Sequence, residues 1–216
     1  MIPSTDYHDY VIKDGKLVGE FEQMYKNSSD VPWHQDKEDE RLDVRLSVEL
    51  LREYGPFPSI CDLGCGLGYF LNVMQKEIGA AGGTAVGCDV SATACAKARS
   101  VFPGLYFLER DLMSNSFIPL PSDLVMIRGV FWYITPNLPT AVVNIEKCCP
   151  PGSILMVAQN FPPLDSQFVG KDKLPNPEAL HSLFKKNFQT IKTIWLVSGD
   201  SNGNDNWFFG IFRRPV

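Results

Sequence analysis

A glycine-rich turn is the feature that most constrains the fold of this 216-residue chain. The apolar run Ser59–Leu63 predicts a strand, and the five residues that follow it, 64–68, read Gly-Cys-Gly-Leu-Gly. A helix is predicted from Leu67 to Ile78. Glycine allows a tight turn and a close approach of the backbone to a ligand, because it has no Cβ atom. The pattern therefore predicts a strand–turn–helix unit with a ligand at the carboxyl end of the strand.

The alternation of strands and helices continues along the chain. Six more strands are predicted, at Thr84–Asp89, Leu105–Glu109, Asp123–Ile127, Ser153–Gln159, Ile191–Val197 and Trp207–Arg213. Helices are predicted at Glu38–Tyr54, Ser91–Val101, Thr140–Cys149 and Asn176–Phe188. Residues 79–83 and 198–206 are predicted to be loops. This order predicts an α/β domain at 41–216, preceded by an N-terminal cap at 1–40. The domain is expected to hold a seven-stranded, mostly parallel sheet with helices on both faces and a C-terminal antiparallel hairpin.

Candidate binding residues follow successive strands of this sheet. Asp89 ends the second strand, 21 residues after Gly68, where a carboxylate binds ribose hydroxyls in this architecture. Asp111 and Leu112 follow the third strand, and Arg128 follows the fourth. The carboxyl ends of parallel strands meet at one edge of a sheet, so these residues are expected to line one nucleoside-binding site.

These motifs resemble those of the class I S-adenosylmethionine-dependent methyltransferases. DLGCGLGYF resembles the first motif of that family, VGCDVS the acidic second, ERDL the third and SDLVMIRGVFWYI the fourth. The resemblance covers roughly residues 40–216, including the terminal hairpin. It implies that S-adenosylmethionine is the cofactor and S-adenosylhomocysteine the product.

The resemblance also implies roles for the residues at matching positions. Those expected at the methionine end of the cofactor are Asp62, Gly64, Cys65, Gly66, Gly68 and the backbone carbonyl of Arg128. Those expected at the ribose and adenine are Asp89, Val90, Asp111 and Leu112. Two other interpretations stay open: Asp111 as the cap of a surface helix, and Arg128 as an exposed salt-bridge partner.

A dinucleotide-binding protein is the main alternative on this fold. Its fingerprint is GxGxxG or GxGxxA, which would place a third small residue at position 69. That position is Tyr69, and the third glycine comes one place early, at Gly68. Asp62, two residues before the first glycine, suits a cofactor with an amino group and no pyrophosphate. The spacing therefore favours the methyltransferase.

The N-terminal segment contains a candidate lid and a candidate base. Methyl transfer requires alignment of a nucleophile and, for a hydroxyl, removal of its proton. The chain reads Val-Pro-Trp-His at 31–34, and nodulation-type N-methyltransferases carry a similar Pro-Trp in a segment that folds over the cofactor. Tyr25, Trp33 and His34 are predicted to form part of a lid over the methionine end, with His34 as the catalytic base. Anchoring of the segment to the core by Trp33 alone is an equally open interpretation.

The substrate side has fewer signals. Phe131, Trp132 and Tyr133 follow the fourth strand and are expected either to wall an acceptor pocket or to pack in the core. Asn160 is expected to line the pocket. The run Asn-Phe-Pro-Pro at 160–163 resembles the NPP[YF] signature of amide and amine methyltransferases, but it follows the fifth strand instead of the fourth. A DNA- or glutamine-type N-methyltransferase is therefore excluded. Lys171 and Lys173 are candidates for contact with an anionic acceptor.

The composition of the chain limits the classes of binding partner that can be expected. The net charge is −5 and no dense Lys/Arg cluster is present, which argues against nucleic acid. The N-terminus is polar and no apolar run reaches the ~18 residues of a membrane span, so a cytoplasmic protein without a membrane partner is expected. The six cysteines show no metal-binding spacing and are expected to be buried, reduced residues. No metal is expected.

The sequence thus predicts methyl transfer to an oxygen or nitrogen of a small molecule, such as a sugar or a secondary-metabolite intermediate. Two alternatives remain: an RNA or protein methyltransferase on the same fold, and a non-catalytic module that binds S-adenosylmethionine. The oligomeric state is left open.

Overall fold

The computed structural model describes residues 4–13, 15–197 and 206–216. Before the sheet domain the chain forms short elements: α1 (His8–Val11), β1 (Ile12–Lys13), β2 (Lys16–Leu17), α2 (Phe21–Asn27) and a 3-10 segment (Pro32–Glu40). β1 and β2 form an antiparallel pair. Apart from Asn206, the loop predicted at 198–206 lies outside the described residues.

The sheet domain follows the predicted alternation. Its helices are α3 (Leu42–Arg52), α4 (Tyr69–Ile78), α5 (Ala92–Val101), α6 (Phe131–Ile134), α7 (Leu138–Lys147) and α8 (Pro177–Phe184), with a 3-10 turn at Thr135–Asn137. Its strands are β3 (Phe57–Leu63), β4 (Gly79–Asp89), β5 (Tyr106–Glu109), β6 (Leu124–Arg128), β7 (Ile154–Asn160), β8 (Gln189–Leu196) and β9 (Trp207–Arg213).

Seven of the described strands form one sheet in the order β5-β4-β3-β6-β7-β9-β8. The pairs from β5 to β7 are parallel, whereas β9 is antiparallel to both β7 and β8. The order reverses between β3 and β6, which brings the carboxyl ends of both strands to the point where open α/β sheets bind ligands. The predicted fold class is confirmed.

One predicted loop is a strand. Residues 79–83 were expected to be a loop from their glycines and alanines, but β4 begins at Gly79, which pairs with Phe57. The register shifts between this pair and the next, at Ser59 and Thr84. A Cβ atom at Gly83 would lie 2.8 Å from the Pro58 carbonyl oxygen. The small residues therefore permit close pairing of the backbones here, where the sequence suggested a turn.

Alternating side chains divide the core between the two faces of the sheet. On β6, Val125 and Ile127 pack on one face with residues of α7 and α8, while Leu124 and Met126 pack on the other with residues of α3, α4 and α5. The helices therefore cover both faces, as predicted. All six cysteines are buried and unpaired. Within the described ranges, no helix has the length and apolar character needed to cross a membrane.

Candidate functional site

A cleft of about 500 Å³ lies at the carboxyl ends of β3, β4, β6 and β7. This volume falls within the ~300–1,000 Å³ typical of small-molecule sites. The residues that we call the polar half are Asp62, Gly64, Cys65, Asp89, Val90, Arg110, Asp111 and Leu112. The residues that we call the aromatic half are Leu17, Val18, Phe21, Tyr25, Trp33, Trp132, Tyr133, Ile134, Pro136 and Asn160. Glu38, Arg41 and Arg128 also line the cleft and, with Asp43 behind them, form the ion-pair cluster.

The turn after β3 depends on its glycines. Gly64, Gly66 and Gly68 all have positive φ, at 84°, 53° and 81°. A Cβ atom at Gly64 would lie 2.5 Å from a methyl carbon of Val130. A larger residue at position 64 would therefore combine backbone strain with a steric clash at the floor of the cleft.

The backbone donors of this turn are already used within the protein. The N–H groups of Gly64 and Cys65 both donate to the carbonyl oxygen of Cys88. Those of residues 66, 67 and 68 donate to Asp89 Oδ2, Gln35 Oε1 and the Cys65 carbonyl oxygen, respectively. All five distances lie between 2.7 and 3.0 Å. A dinucleotide site needs such donors free, because they bind the pyrophosphate at the start of the helix. The geometry therefore agrees with the glycine spacing in disfavouring a dinucleotide.

Asp89 is held rigidly at the end of β4. Its Oδ2 accepts from the N–H of Gly66 at 3.0 Å and its Oδ1 from the N–H of Ser91 at 2.9 Å. Burial raises the pKa of this carboxyl, and the two backbone donors oppose the rise. Each oxygen retains a lone pair beyond these bonds, so the carboxylate can accept further hydrogen bonds from a ligand in the cleft.

Asp62 is the unpaired carboxyl of the polar half. It is 2% exposed, it lines the cleft, and it forms no hydrogen bond or ion pair with any described residue. Burial raises the pKa of Asp62 to about 7, while the nearby Arg128 charge acts in the opposite direction. A buried carboxyl without a partner is suited to a cationic group brought by a ligand.

The far end of the polar half contains the residues predicted around adenine. Val90, 44% exposed, lines the cleft together with Asp111 and the buried Leu112. Asp111 Oδ1 accepts from the N–H of Met113 at 2.8 Å, so the local capping interpretation also holds for this residue. Arg110 stands beside it, and its buried Nε has no hydrogen-bond partner in the described parts of the chain.

Two of the glycines predicted to line the cofactor site, Gly66 and Gly68, lie on the side of the turn that faces away from the cleft. Neither Gly66 nor Gly68 lines the cleft. The space above Gly66 is filled by Gln35 and the Tyr25 hydroxyl, and that above Gly68 by Phe107. In this structure they provide backbone conformation and close packing, and their contact with the cofactor stays a prediction.

Arg128 lies at the centre of the ion-pair cluster. Its guanidinium donates to Asp43 Oδ2 at 2.7 Å and to Glu38 Oε1 at 3.0 Å, and it lies over the rings of Phe70 and Trp207. The side chain is only 10% exposed. The alternative interpretation of Arg128 is therefore right about the salt bridge and wrong about its exposure. Arg41 completes the cluster by pairing with Asp43 at 3.1 Å. The net charge of the cluster is therefore zero, because two arginines pair with two carboxylates.

The N-terminal cap is fastened to α5. Glu22 accepts hydrogen bonds from the Ser91 hydroxyl at 2.7 Å and from the backbone and hydroxyl of Thr93 at 3.1 and 2.7 Å. These bonds lower the pKa of Glu22 to about 2. Lys97 also donates to the Tyr25 carbonyl oxygen. The cap is therefore held beside the strand end that presents Asp89.

The rings predicted for the lid lie over the cleft. Trp33 contacts Tyr133, Tyr7 and Tyr25 at ring-centroid distances of 5.8, 5.5 and 6.4 Å. Both Trp33 and His34 have positive φ, at 53° and 52°, a conformation that costs about 1–2 kcal/mol for each such residue. The ring contacts of Trp33 help to offset that cost. Its position supports both interpretations left open by the sequence, since it lines the cleft and also anchors the cap.

His34 does not join the site. Its side chain is exposed and lines a separate shallow pocket with Lys37, Glu40 and Arg41. Because the backbone has positive φ at positions 33 and 34, the two neighbouring side chains face different surroundings: Trp33 faces the cleft, and His34 faces the shallow pocket. The structure therefore gives no support to His34 as a base, and the sequence pattern could not distinguish it from Trp33.

The three aromatic residues after β6 separate in the same way. Trp132 and Tyr133 line the cleft, and so does Asn160. Phe131 is fully buried, contacts Phe184 and belongs to the core beneath α8. Its expected place in the acceptor wall is corrected, because the first turn of α6 directs it towards the sheet.

Several important residues were missed by the sequence analysis. Gln35 reaches Leu67 across 32 positions, Glu22 reaches Ser91 across 69, and Glu38 reaches Arg128 across 90. Each lies in a polar segment without periodicity, so no local signal distinguishes it from a solvated side chain. These contacts become visible only when the cap is docked.

Comparison with known proteins agrees with this geometry. Residues 60–152 match a sequence family described as a methyltransferase domain. N-methyltransferase NodS from Bradyrhizobium japonicum WM9, in complex with S-adenosyl-L-homocysteine, is similar over 90% of this chain and 98% of its own, with 17% identity and a TM-score of 0.69. No curated protein sequence matches the chain.

Two further solved structures have the same fold. A SAM-dependent methyltransferase from Aquifex aeolicus is similar over 83% of this chain and 98% of its own, with 15% identity and a TM-score of 0.55. Human N-acetylserotonin methyltransferase, in complex with SAM, is similar over 92% of this chain and 56% of its own, with 18% identity and a TM-score of 0.60. Residues 60–152 therefore match a methyltransferase domain, and the chain has the fold of solved S-adenosylmethionine-dependent methyltransferases. The methyltransferase fold predicted from the motifs is thereby confirmed.

Proposed function

We propose that this chain transfers a methyl group from S-adenosylmethionine to an oxygen or nitrogen of a small-molecule acceptor. The observation that carries the proposal is the cleft, in which one wall is polar and carries two buried aspartates and the other is aromatic. A single cleft with two chemically different walls suits two different ligands held side by side.

The residues of the polar half fit S-adenosylmethionine. Asp62 is buried without a partner and suits the amino group at the methionine end, while Asp89 offers lone pairs for ribose hydroxyls. Val90, Asp111 and Leu112 are proposed to surround the adenine. Gly64 and Cys65 are proposed to line the methionine part, with the Arg128 carbonyl nearby. The cofactor, when bound, supplies a methyl group already activated by positive sulfur.

The protein's contribution is then alignment and exclusion of water. Trp33 and Tyr25 from the cap are proposed to cover the methionine end, with Trp132, Tyr133 and Asn160 placing the acceptor. Holding two reactants in a productive geometry replaces a bimolecular encounter by an effectively unimolecular step, which lowers the barrier without a covalent intermediate. Glu22 and Gln35 support this arrangement by holding the cap in place.

A small acceptor is favoured over a macromolecule on two grounds. The cap covers the cleft from the side of the aromatic half, and the cleft of about 500 Å³ has the size typical of small-molecule sites. The net charge of −5 also disfavours binding to RNA through its phosphates.

Two measurements test the proposal. Calorimetry of the purified chain with S-adenosylhomocysteine is expected to show one site per chain. Incubation with cell extract and S-adenosylmethionine labelled in its methyl group is expected to place the label in a small molecule, identified by mass. No binding of S-adenosylhomocysteine to folded protein would refute the cofactor site. Label in RNA or protein, or binding without any transfer, would favour the alternatives left open by the sequence.

A further inference from the structure

Building on the proposed function, we infer that the acceptor is a small, uncharged aromatic amine that lies against the rings of Phe21, Trp33 and Tyr133 and receives the methyl group on its nitrogen. Three features of the aromatic half lead to this inference: its surface of aromatic rings, its lack of charge, and its lack of a proton acceptor.

The aromatic rings of this surface come from two distant segments of the chain, and they meet edge-on or tilted. Phe21 in α2 meets Tyr133 in α6 with ring centroids 5.2 Å apart, and Trp33 meets the same ring at 5.8 Å. Leu17 and Val18 extend this apolar wall. Aromatic rings prefer neighbours in offset or edge-to-face geometry at about 4.5–7 Å, so an aromatic ligand gains more here than a sugar of similar size.

The aromatic half carries no charge among its described lining residues. The two lysines that the sequence suggested for an anionic acceptor are engaged elsewhere. Lys171 donates to the carbonyl oxygens of Leu164 and Ser166, and Lys173 lies 3.4 Å from Asp172. The two arginines of the ion-pair cluster are matched by carboxylates. A phosphorylated acceptor in the aromatic half would therefore be buried without a cation to pair with it, because Arg110, the other arginine of the cleft, belongs to the polar half.

The described part of the aromatic half also offers no base. Burial raises the pKa of Tyr133 to about 12 and that of Tyr25 well above its usual value, so both phenols stay protonated at neutral pH. His34 lies outside the cleft. The carboxylates of the cleft belong to the polar half or to the ion-pair cluster. A hydroxyl acceptor would have no neighbouring group to take its proton, whereas an uncharged amine presents its lone pair directly.

The step balances without a base. The nitrogen lone pair forms the new carbon–nitrogen bond as the carbon–sulfur bond breaks, and the electrons of that bond remain on sulfur as a thioether. Positive charge passes from sulfur to nitrogen, and the methylated ammonium loses its proton to water after release. The ring faces of Trp33 and Tyr133 stabilise a cation at either atom, because their quadrupoles attract positive charge.

Binding of defined probes to the full chain tests the inference apart from turnover. The protein, saturated with S-adenosylhomocysteine, is titrated with 1-naphthylamine, 1-naphthol and glucose 6-phosphate. Naphthylamine is expected to bind, and Tyr133→Leu is expected to weaken its affinity about tenfold. Phe21→Leu, on the other side of the same ring contact, provides a second variant if Tyr133→Leu does not fold. Tyr106→Leu is the matched control, since Tyr106 is 65% exposed on β5 and lies outside the cleft.

Transfer from S-adenosylmethionine to the same probes completes the test. At saturating S-adenosylmethionine, N-methylation of naphthylamine is expected at a rate that is flat between about pH 6 and pH 9, because no base on the protein titrates with the transfer step. Preferential binding of glucose 6-phosphate, or faster O-methylation of naphthol with a rate that rises with pH, would overturn the inference. So would failure of naphthylamine to bind protein that binds S-adenosylhomocysteine. Failure of S-adenosylhomocysteine itself to bind would instead refute the proposed function.

Discussion

The polar half and the aromatic half of the cleft are built in opposite ways. Every residue of the polar half lies between positions 62 and 112, at the ends of three strands that follow one another along the chain. The aromatic half collects its residues from positions 17–33, 132–136 and 160. A site made from consecutive strand ends carries a local signature, whereas a site made by docking a cap does not. The half that we propose to bind the cofactor is thus the half whose residues the sequence predicts.

The two halves also differ in how their polar groups are used. In the polar half, Asp62 has no partner and Asp89 has lone pairs to spare. The carboxylates that hold the cap are all engaged in hydrogen bonds or ion pairs within the protein; they are those of Glu22, Glu38 and Asp43. Substitutions in the polar half should therefore act on cofactor affinity directly, and those that loosen the cap should act through its docking.

The largest effect is expected for Asp89→Asn. The change removes a charged acceptor from the proposed ribose hydroxyls, and two hydrogen bonds to a charged group are together worth a loss of about 100-fold in affinity. Calorimetry with S-adenosylhomocysteine measures the loss. Asp123→Asn is the matched control, because Asp123 Oδ2 also accepts two bonds, from Ser59, but at the opposite edge of the sheet. Equal affinity in both variants would contradict the proposed role of Asp89.

A loss of about tenfold or more in cofactor affinity is expected for Gly64→Ala. The new Cβ would press on Val130, 2.5 Å away, and displace the turn from the cleft. Gly82→Ala is the control, because Gly82 also has positive φ but nothing lies within 4 Å of its Cβ position. Both variants should lose the same ~1–2 kcal/mol of backbone strain energy from stability. A shared loss of affinity would show that strain, and not the clash, is responsible.

A smaller, pH-dependent effect is expected from Asp62. Its pKa in the folded protein is about 7, above the ordinary 3.8, so the free protein loses stability from this group as pH rises from 3.8 to 7. An ammonium group at Asp62 favours the ionised form. Affinity for S-adenosylhomocysteine should therefore rise with pH, by at most about tenfold per unit, and level off above pH 7. In Asp62→Asn the affinity should be flat over this window, and a slope equal to that of the unmodified protein would exclude Asp62 as its source.

The smallest effect is expected from loosening the cap with Glu22→Gln. Weaker bonds to Ser91 and Thr93 should speed proteolytic cleavage within residues 4–40 by about threefold to tenfold. Because the pKa of Glu22 is lowered to about 2 from 4.5, its anchoring is complete above pH 4.5 and is lost as pH falls towards 2. Glu49→Gln, which affects an exposed pair with Arg52, is the control and should change nothing. Unchanged cleavage in Glu22→Gln would mean that the cap is held by its aromatic contacts alone.

The sequence predicted most of the sheet domain because hydrophobic periodicity and turn residues are local signals. The strands from β3 to β9 and the functional edge of the sheet follow from them. The prediction of a loop at 79–83 was wrong because small residues are equally compatible with a turn and with close pairing of strands. The predicted places of Phe131 and His34 in the cleft were wrong for a related reason. The sequence shows a cluster of candidate residues, but the direction of the backbone decides which of them faces the cleft.

The succession of strands and helices along the chain, the glycine turn and the place of Asp89 at a strand end were predicted from the sequence alone, because each depends on residues close together in the chain. Tertiary structure decided what the cap does. The bond from Gln35 to Leu67, the neutral cluster around Arg128 and the contact between Trp33 and Tyr133 all join distant segments. Such contacts form only once the core has positioned both partners, since ordering them earlier would cost chain entropy without a compensating interaction.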